Sequence, residues 1–187
     1  MIFIRQQWLI GAFTEPKLFD KVKKLIKKGK KMIYDVPPEG FNPKISVAAC
    51  FIECGNEVLF VKRAQHVSQP GTWAIPGGKV EKIETPSQTI SREIQEECSF
   101  SVSNPIFVQT VYIRYPEYDY VYHMFRAVFA AKPKVILDKD SDDYAWLTRA
   151  QANALETQNK LILDEMPCIE CVYGDAEFGN LVTEKYA

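Results

Sequence analysis

The chain has 187 residues, 47% of them hydrophobic and 25% charged, with a formal net charge of −1 and 12% aromatics. That is about one globular domain with a few tens of residues over, long enough to bury a core without disulfide staples, and too aromatic and too neutral for a disordered chain. No apolar run approaches the ~20 residues that span a bilayer. The polar break at Arg5-Gln6-Gln7 makes a poor signal peptide, and an odd count of five cysteines argues against a disulfide framework, so a reduced, cytoplasmic setting is expected.

Charge is placed unevenly. Residues 1–35 carry nine Lys/Arg against Glu15, Asp20 and Asp35, which leaves the body from residue 36 onward acidic. An acidic body is a poor general binder of nucleic acid but suits carboxylates clustered around a cation. Within the basic arm, Leu18, Val22, Leu25 and Ile26 recur at helical spacing, so Lys17–Met32 reads as an amphipathic helix. Its plainest role is packing with solvated lysines. A membrane surface, an acidic partner, the substrate or a second copy in a homodimer are the other roles open to it. Asp35–Pro43, with Pro37, Pro38 and Pro43, reads as a linker, which sets the expected division at an extension over 1–42 and a main domain over 43–187.

From Lys44 the period becomes that of strands. Ile45–Glu53 and Glu57–Arg63 flank the hairpin signal Gly55-Asn56, and Trp73–Pro76 is a short apolar piece bounded by turns. A helix follows, with Thr85 as N-cap, Pro86 at the first position, Gln88 completing a capping box, and an end near Cys98. Ile106–Arg114 and Tyr120–Ala131 are strands joined by the turn-like Tyr115–Asp119. A short strand near Tyr144–Leu147 leads into a second helix capped by Thr148 and Gln151, and the tail from Met166 is ambiguous. Hairpins interrupted by one early and one late helix predict a layered α/β or α+β fold on a mixed sheet.

The chemistry concentrates between Gly77 and Phe100. Glu93, Glu96 and Glu97 lie on one helical face, while Ile90, Ile94 and Cys98 form a separate stripe for burial. Like charges so spaced repel unless a cation sits among them, and an oxygen-rich set selects a hard one such as Mg²⁺ or Mn²⁺. Gly77-Gly78 would let backbone approach the same place.

This run resembles the signature of the Nudix hydrolase superfamily: Gly78, five residues, Glu84, seven residues, then Arg92-Glu93-Ile94-Gln95-Glu96-Glu97, with Ser99 where the family usually has Gly and then the apolar Phe100. The departure falls where a helix exits through the left-handed region, so it bears on local geometry and not on a carboxylate. The resemblance implies an α/β/α sandwich with a mixed sheet, and divalent-metal-dependent hydrolysis of a nucleoside diphosphate linked to another group. It implies Glu93, Glu96 and Glu97 as metal ligands, Glu93 also as the group that orients or deprotonates water, and a Gly77 or Gly78 carbonyl completing the metal shell. Arg92 and Glu84 would aim the glutamates.

Outside this run the cues diverge. Arg63 and Lys62 end a strand where a phosphate could be met. Trp73 resembles a position common before the signature, and Asp143 is the chosen acid among Glu117, Asp119, Asp138, Asp140, Asp142 and Asp143. Tyr112, Tyr115, Tyr118, Tyr120, Tyr122 and Phe125 offer a stacking face, although alternation turns half of them away. Pro116 resembles a proline of ADP-ribose-hydrolysing members, and Tyr118 resembles a tyrosine of diadenosine-polyphosphate hydrolases. The expected substrate is therefore a small-molecule nucleotide, ADP-ribose-like or a dinucleotide first, a nucleoside triphosphate or diadenosine polyphosphate next. A non-catalytic nucleotide- or RNA-binding module on the same fold is the reading from another class.

Overall fold

The computed structural model describes residues 32–115 and 118–179. Residues 1–31, with the expected helix up to Lys31, lie outside the described residues, as do Pro116, Glu117 and residues 180–187.

Among the described residues eight strands and three helices follow in chain order: β1 (Ile33–Tyr34), β2 (Pro43–Cys54), β3 (Glu57–Arg63), β4 (Trp73–Ala74), β5 (Gly77–Lys79), α1 (Pro86–Cys98), β6 (Ile106–Tyr115), β7 (Tyr118–Val128), β8 (Ser141–Leu147), α2 (Arg149–Thr157) and α3 (Glu165–Tyr173). Gly55 turns the β2–β3 hairpin with φ +61°, a conformation that glycine adopts without the cost a Cβ brings. β2 and β7 pair in parallel over most of their length while the other pairings between these strands are antiparallel, so the sheet is mixed.

One topological detail makes the cleft. β2 and β3 stay paired only beside their hairpin, at Glu53↔Val58 and Cys54↔Glu57. Beyond that they part: β2 takes β5 as its neighbour through Val47–Ala49, and β3 takes β4 through Val61 and Lys62. The segment Ile75–Gly78 is wedged into the split, where the Cys50 amide donates to the Pro76 carbonyl at 3.0 Å. A sheet that opens in its middle exposes backbone and side chains from both of its faces at one place.

Alternation along the strands sorts two cores. Ala48, Cys50 and Ile52 of β2 face α1, where Ile90, Ile94 and Cys98 cover them. Ala49 and Phe51 face the opposite way, against Ala152 of α2 and Met166, Ile169 and Val172 of α3. Helices on both faces give the layered architecture the sequence predicts. The ambiguous tail is resolved as α3, and its far end is tied down by a buried network. Arg126 donates from Nε and Nη2 to the two oxygens of Glu53, at 2.9 and 2.6 Å, and the Tyr173 hydroxyl donates to the same carboxylate at 2.7 Å. Glu53 is 1% exposed, so this satisfied pair fixes where α3 lies on the sheet, and breaking it would strand a buried charge.

Candidate active site

The helix that carries the glutamates is held firmly at both ends. Thr85 accepts from the Gln88 amide while the Gln88 side chain accepts from the Thr85 amide, the reciprocal cap expected from the sequence. At the other end Ser99 takes the left-handed conformation, φ 60° and ψ 29°, that the missing glycine would adopt more cheaply. The departure at Ser99 therefore leaves the exit geometry in place and costs about 1 kcal/mol of local strain.

Arg92 organises the acids. Its guanidinium donates to both Glu84 oxygens, to Glu93 Oε1 at 2.6 Å, to Glu96 Oε2 at 3.3 Å and to the Lys79 carbonyl. Glu84 also accepts from the Thr89 hydroxyl at 3.0 Å, and hydrogen bonding from Arg92 holds its carboxyl down at about 2. Glu84 and Arg92 thus brace the loop 80–85 against α1 and orient Glu93. Glu97 points to the split in the sheet, where its Oε2 accepts from the Gly77 amide at 3.2 Å. Burial, first, and the neighbouring Glu93, second, push its carboxyl well above the ordinary range.

Gly77 is required by contact, and Gly78 leaves room for the Glu93 side chain. A Cβ on Gly77 would overlap the Ala48 carbonyl and Ala49, and one on Gly78 would overlap the Glu93 carboxyl. Among the described residues no three acids, imidazoles or thiolates already form a closed ligand set, since Arg92 engages Glu93 and Glu96. The donor set nevertheless fits a hard divalent cation. A carboxyl buried beside another has its charge opposed by burial and repulsion, and a cation is what relieves both.

From beyond the signature, Asp138 is the acid nearest in effect. It raises the Glu97 carboxyl electrostatically, and its own is raised by burial, with Glu96 among the smaller contributors. Asp138 was one of six loop acids with no feature in the sequence to set it apart. Asp143, the chosen one, is exposed on β8 opposite Lys62 and accepts from its neighbouring amide at Tyr144. It is not part of the cluster. Trp73 is half-buried, packs on the α2–α3 core and hydrogen-bonds Lys160 and Ile162 through its backbone, so it supports the cleft from beneath.

A pocket adjoins the carboxylates and shares Gly77 and Gly78 with them. Tyr118, Tyr120 and Tyr122 of β7 form one wall, because even-numbered residues of that strand face α3. Phe125 faces α1, and Tyr112 packs edge-on against Phe41, 5.4 Å between ring centroids. Arg63 lines the same pocket, with its guanidinium donating to the carbonyl and hydroxyl of Ser68 at 2.6 and 2.9 Å. Its charge is felt by both Glu97 and Glu165, so it stands between the glutamate cluster and the pocket floor. Lys62 is not among the pocket's lining residues. The far side is built by Asp164 and Glu165, at the start of the helix whose position the sequence left open. His66 pairs with Asp140 at 2.7 Å, and His123 bridges Thr110 and Ser46; neither lines the pocket.

Comparison with known proteins agrees with this geometry. The chain is 36% identical over 75 residues to an 8-oxo-dGTP diphosphatase of Proteus vulgaris, a stretch covering 40% of this chain and 67% of that protein. It is 29% identical over 97 residues to the nucleoside triphosphatase NudI of Enterobacter sp. (strain 638), covering 46% and 69%. Among solved structures, a NUDIX hydrolase from Nitrosomonas europaea superposes with a TM-score of 0.59 at 21% identity, over 73% of this chain and 93% of that one. A bifunctional NMN adenylyltransferase/ADP ribose pyrophosphatase from Francisella tularensis, complexed with AMP and a Mn ion, superposes with a TM-score of 0.57 at 22% identity, over 84% of this chain and 48% of that one. No helix among the described residues is long and apolar enough to cross a membrane. A model of the NUDIX domain matches residues 42–166, well over half the chain, so this protein belongs to the Nudix hydrolases and is a pyrophosphohydrolase of that family.

Proposed function

We propose that the protein hydrolyses nucleoside triphosphates to the monophosphate and pyrophosphate, using Mg²⁺ or Mn²⁺. The observation that carries this reading is adjacency: a tyrosine-walled pocket of base-binding character shares Gly77 and Gly78 with the carboxylate cluster. A nucleotide lying across that boundary would put its base against Tyr118, Tyr120 and Tyr122 and its phosphates toward Arg63 and α1.

Glu93, Glu96 and Glu97, with a carbonyl of Gly77 or Gly78, would hold the cation. Once bound, a divalent ion neutralises phosphate charge and lowers the pKa of a water. The chain's own residues supply the positioning. Arg92 and Glu84 fix the carboxylate directions, Glu93 orients the attacking water, and Arg63 takes part of the phosphate charge. Positioning and electrostatics supply most of the catalysis in phosphoryl and nucleotidyl hydrolysis, which suits a site built of acids and cations.

The relatives named above act on 8-oxo-dGTP and on nucleoside triphosphates, and they support this reading over the ADP-ribose-like substrates placed first from the sequence. Pro116, the residue behind that preference, lies outside the described residues. Identification of the products decides between them. With Mg²⁺, a panel of nucleoside triphosphates should release pyrophosphate and monophosphate, while ADP-ribose and diadenosine polyphosphates should turn over at least tenfold more slowly. Preferential release of AMP from ADP-ribose would overturn the proposal, and nucleotide binding without turnover on any substrate would favour the binding-module reading.

A further inference from the structure

The tyrosine wall of the pocket stands on strand ends that lack a regular ladder. Tyr118 and Tyr120 of β7 and Ile45 of β2 line the pocket within the first three residues of their strands. The parallel β2–β7 register is broken there, between Pro43 and Ile45, and Pro43 has no amide hydrogen to donate. Backbone bonds alone would leave such an end to fray. Asp119 sits between the two tyrosines, and alternation turns its side chain to the opposite face of the sheet.

On that face Asp119 is tied to two other parts of the chain. Its Oδ2 accepts from the Asn42 amide at 2.8 Å, one residue before Pro43. Arg114, its partner in register on β6, donates from Nε to Oδ1 and from Nη2 to Oδ2, each at 3.0 Å. Arg114 also donates from Nη1 to the Glu39 carbonyl at 2.8 Å, and its guanidinium carbon lies 5.7 Å from the centre of the Phe41 ring. One carboxylate therefore joins the entry of β2, the start of β7 and the end of β6. A two-point fork on an acid only 12% exposed holds more firmly than a loose surface ion pair.

We propose that Asp119, clamped by Arg114, is a positioning residue that holds the nucleoside wall from behind, keeping Ile45, Tyr118 and Tyr120 at the spacing a base needs. This role rests on the nucleotide reading above and adds a determinant of affinity that touches no ligand. Glu39 and Phe41 precede residue 42, where the family's domain begins, so the clamp couples the segment ahead of that domain to the pocket. A wall already in place spares the ligand the free energy of ordering it. The carboxylates of α1 lie beyond the clamp's reach, because β2 is flanked by β5 as well from Val47 onward. The effect thus falls on affinity and not on the chemical step.

Wild type, Asp119→Ala, Asp119→Asn, Arg114→Ala and the double variant Arg114→Ala/Asp119→Ala are compared well below the Tm of each. KM and kcat are measured on a nucleoside triphosphate with Mg²⁺, and the Kd of AMP without metal by calorimetry. Asp119→Ala is expected to raise KM and Kd by about tenfold and to leave kcat within about twofold. Asp119→Asn keeps an acceptor and should recover most of the affinity. The double variant should bind AMP no more weakly than Asp119→Ala, as two residues acting as one unit do. If Asp119→Ala does not fold, Arg114→Ala gives the same test, with a rise of about fivefold. Unchanged KM and Kd with a lowered Tm would overturn the proposal, because a clamp that only stabilises the fold does not alter the affinity of folded protein. A fall in kcat at unchanged KM would overturn it too. A protein that binds AMP but cleaves ADP-ribose in place of triphosphates contradicts the proposed function alone, and the clamp is then judged on the same Kd values. A wild type that does not bind AMP overturns the clamp's role.

Discussion

Two groups of acids face one cleft from opposite sides, and they are kept in opposite states. On α1, Glu84 sits in the fork of Arg92 and is held down at about 2, while Glu93 and Glu96 share the same guanidinium. At the start of α3, Asp164 and Glu165 are buried against tyrosines and backbone, with no cation pairing to either, and are pushed up to about 8. The residue types are the same. One side is equipped for charge and therefore for cations and phosphate, and on the other burial opposes charge. Glu97 shares the helix of the first group, but burial and the neighbouring Glu93 push its carboxyl well above the ordinary range, and a bound cation would bring it to the charged side.

The largest expected effect comes from removing charge on the α1 side. Glu97→Gln should lower kcat on a nucleoside triphosphate by about a thousandfold with the fold intact by circular dichroism, because the cation loses a ligand and phosphate charge goes unmet. Chelation with EDTA should abolish turnover of the wild type, and added Mn²⁺ should restore it. Retention of most activity in Glu97→Gln would remove the glutamate cluster from the reaction.

Arg92→Ala should come next. It frees Glu84 and unclamps Glu93 and Glu96 without touching a proposed ligand, so metal affinity should fall by about ten- to a hundredfold, read as a shift in the Mg²⁺ concentration for half-maximal rate. An unchanged Mg²⁺ requirement would mean that the ion pairs only tie the loop down.

The comparison also predicts two limbs in a stability-against-pH curve. Asp164 and Glu165 have folded values above their unfolded ones, so their contribution is complete below about pH 4 and is lost as pH rises from there through about 8. Glu84 has a folded value below its unfolded one, so its contribution is present above about pH 4.5 and is lost as pH falls toward 2. Urea denaturation across pH should show both declines. Glu165→Gln should flatten the upper limb and Glu84→Gln the lower, and a variant that moved the other limb would break the assignment.

The smallest expected change lies at the end of α1. Ser99→Gly should raise stability by about 1 kcal/mol in urea denaturation, since it relieves a left-handed Cβ at an exposed position without altering the acids.

How far the sequence was legible follows from which contacts are local. The caps at Thr85 and Thr148, the hairpin at Gly55 and the Glu93–Glu97 face depend on residues a few places apart, and each is found where spacing puts it. The tyrosine wall was half legible: alternation says that every second residue of β7 shares a face, but only the packing of α3 says which face becomes the pocket. α3 itself had a weak pattern, with Met166, Pro167 and two cysteines in its first two turns, and it is placed by long-range bonds from Arg126 and Tyr173 to Glu53. Asp164 and Glu165 were for the same reason invisible as site residues. Their neighbours Tyr120 and Ile75 are 44 and 90 positions away. Asp138 rather than Asp143 stands near Glu97 because the strand register of β8 turns Asp143 outward beside Lys62, which loop composition does not encode.

The most direct test of the opposed states is a ¹³C-carboxyl NMR titration of the intact protein, with Glu84, Asp164 and Glu165 assigned through single Asn or Gln variants. The account predicts a Glu84 resonance that titrates near pH 2 and Asp164 and Glu165 resonances that titrate near pH 8. Titration of all three together near pH 4 would contradict it.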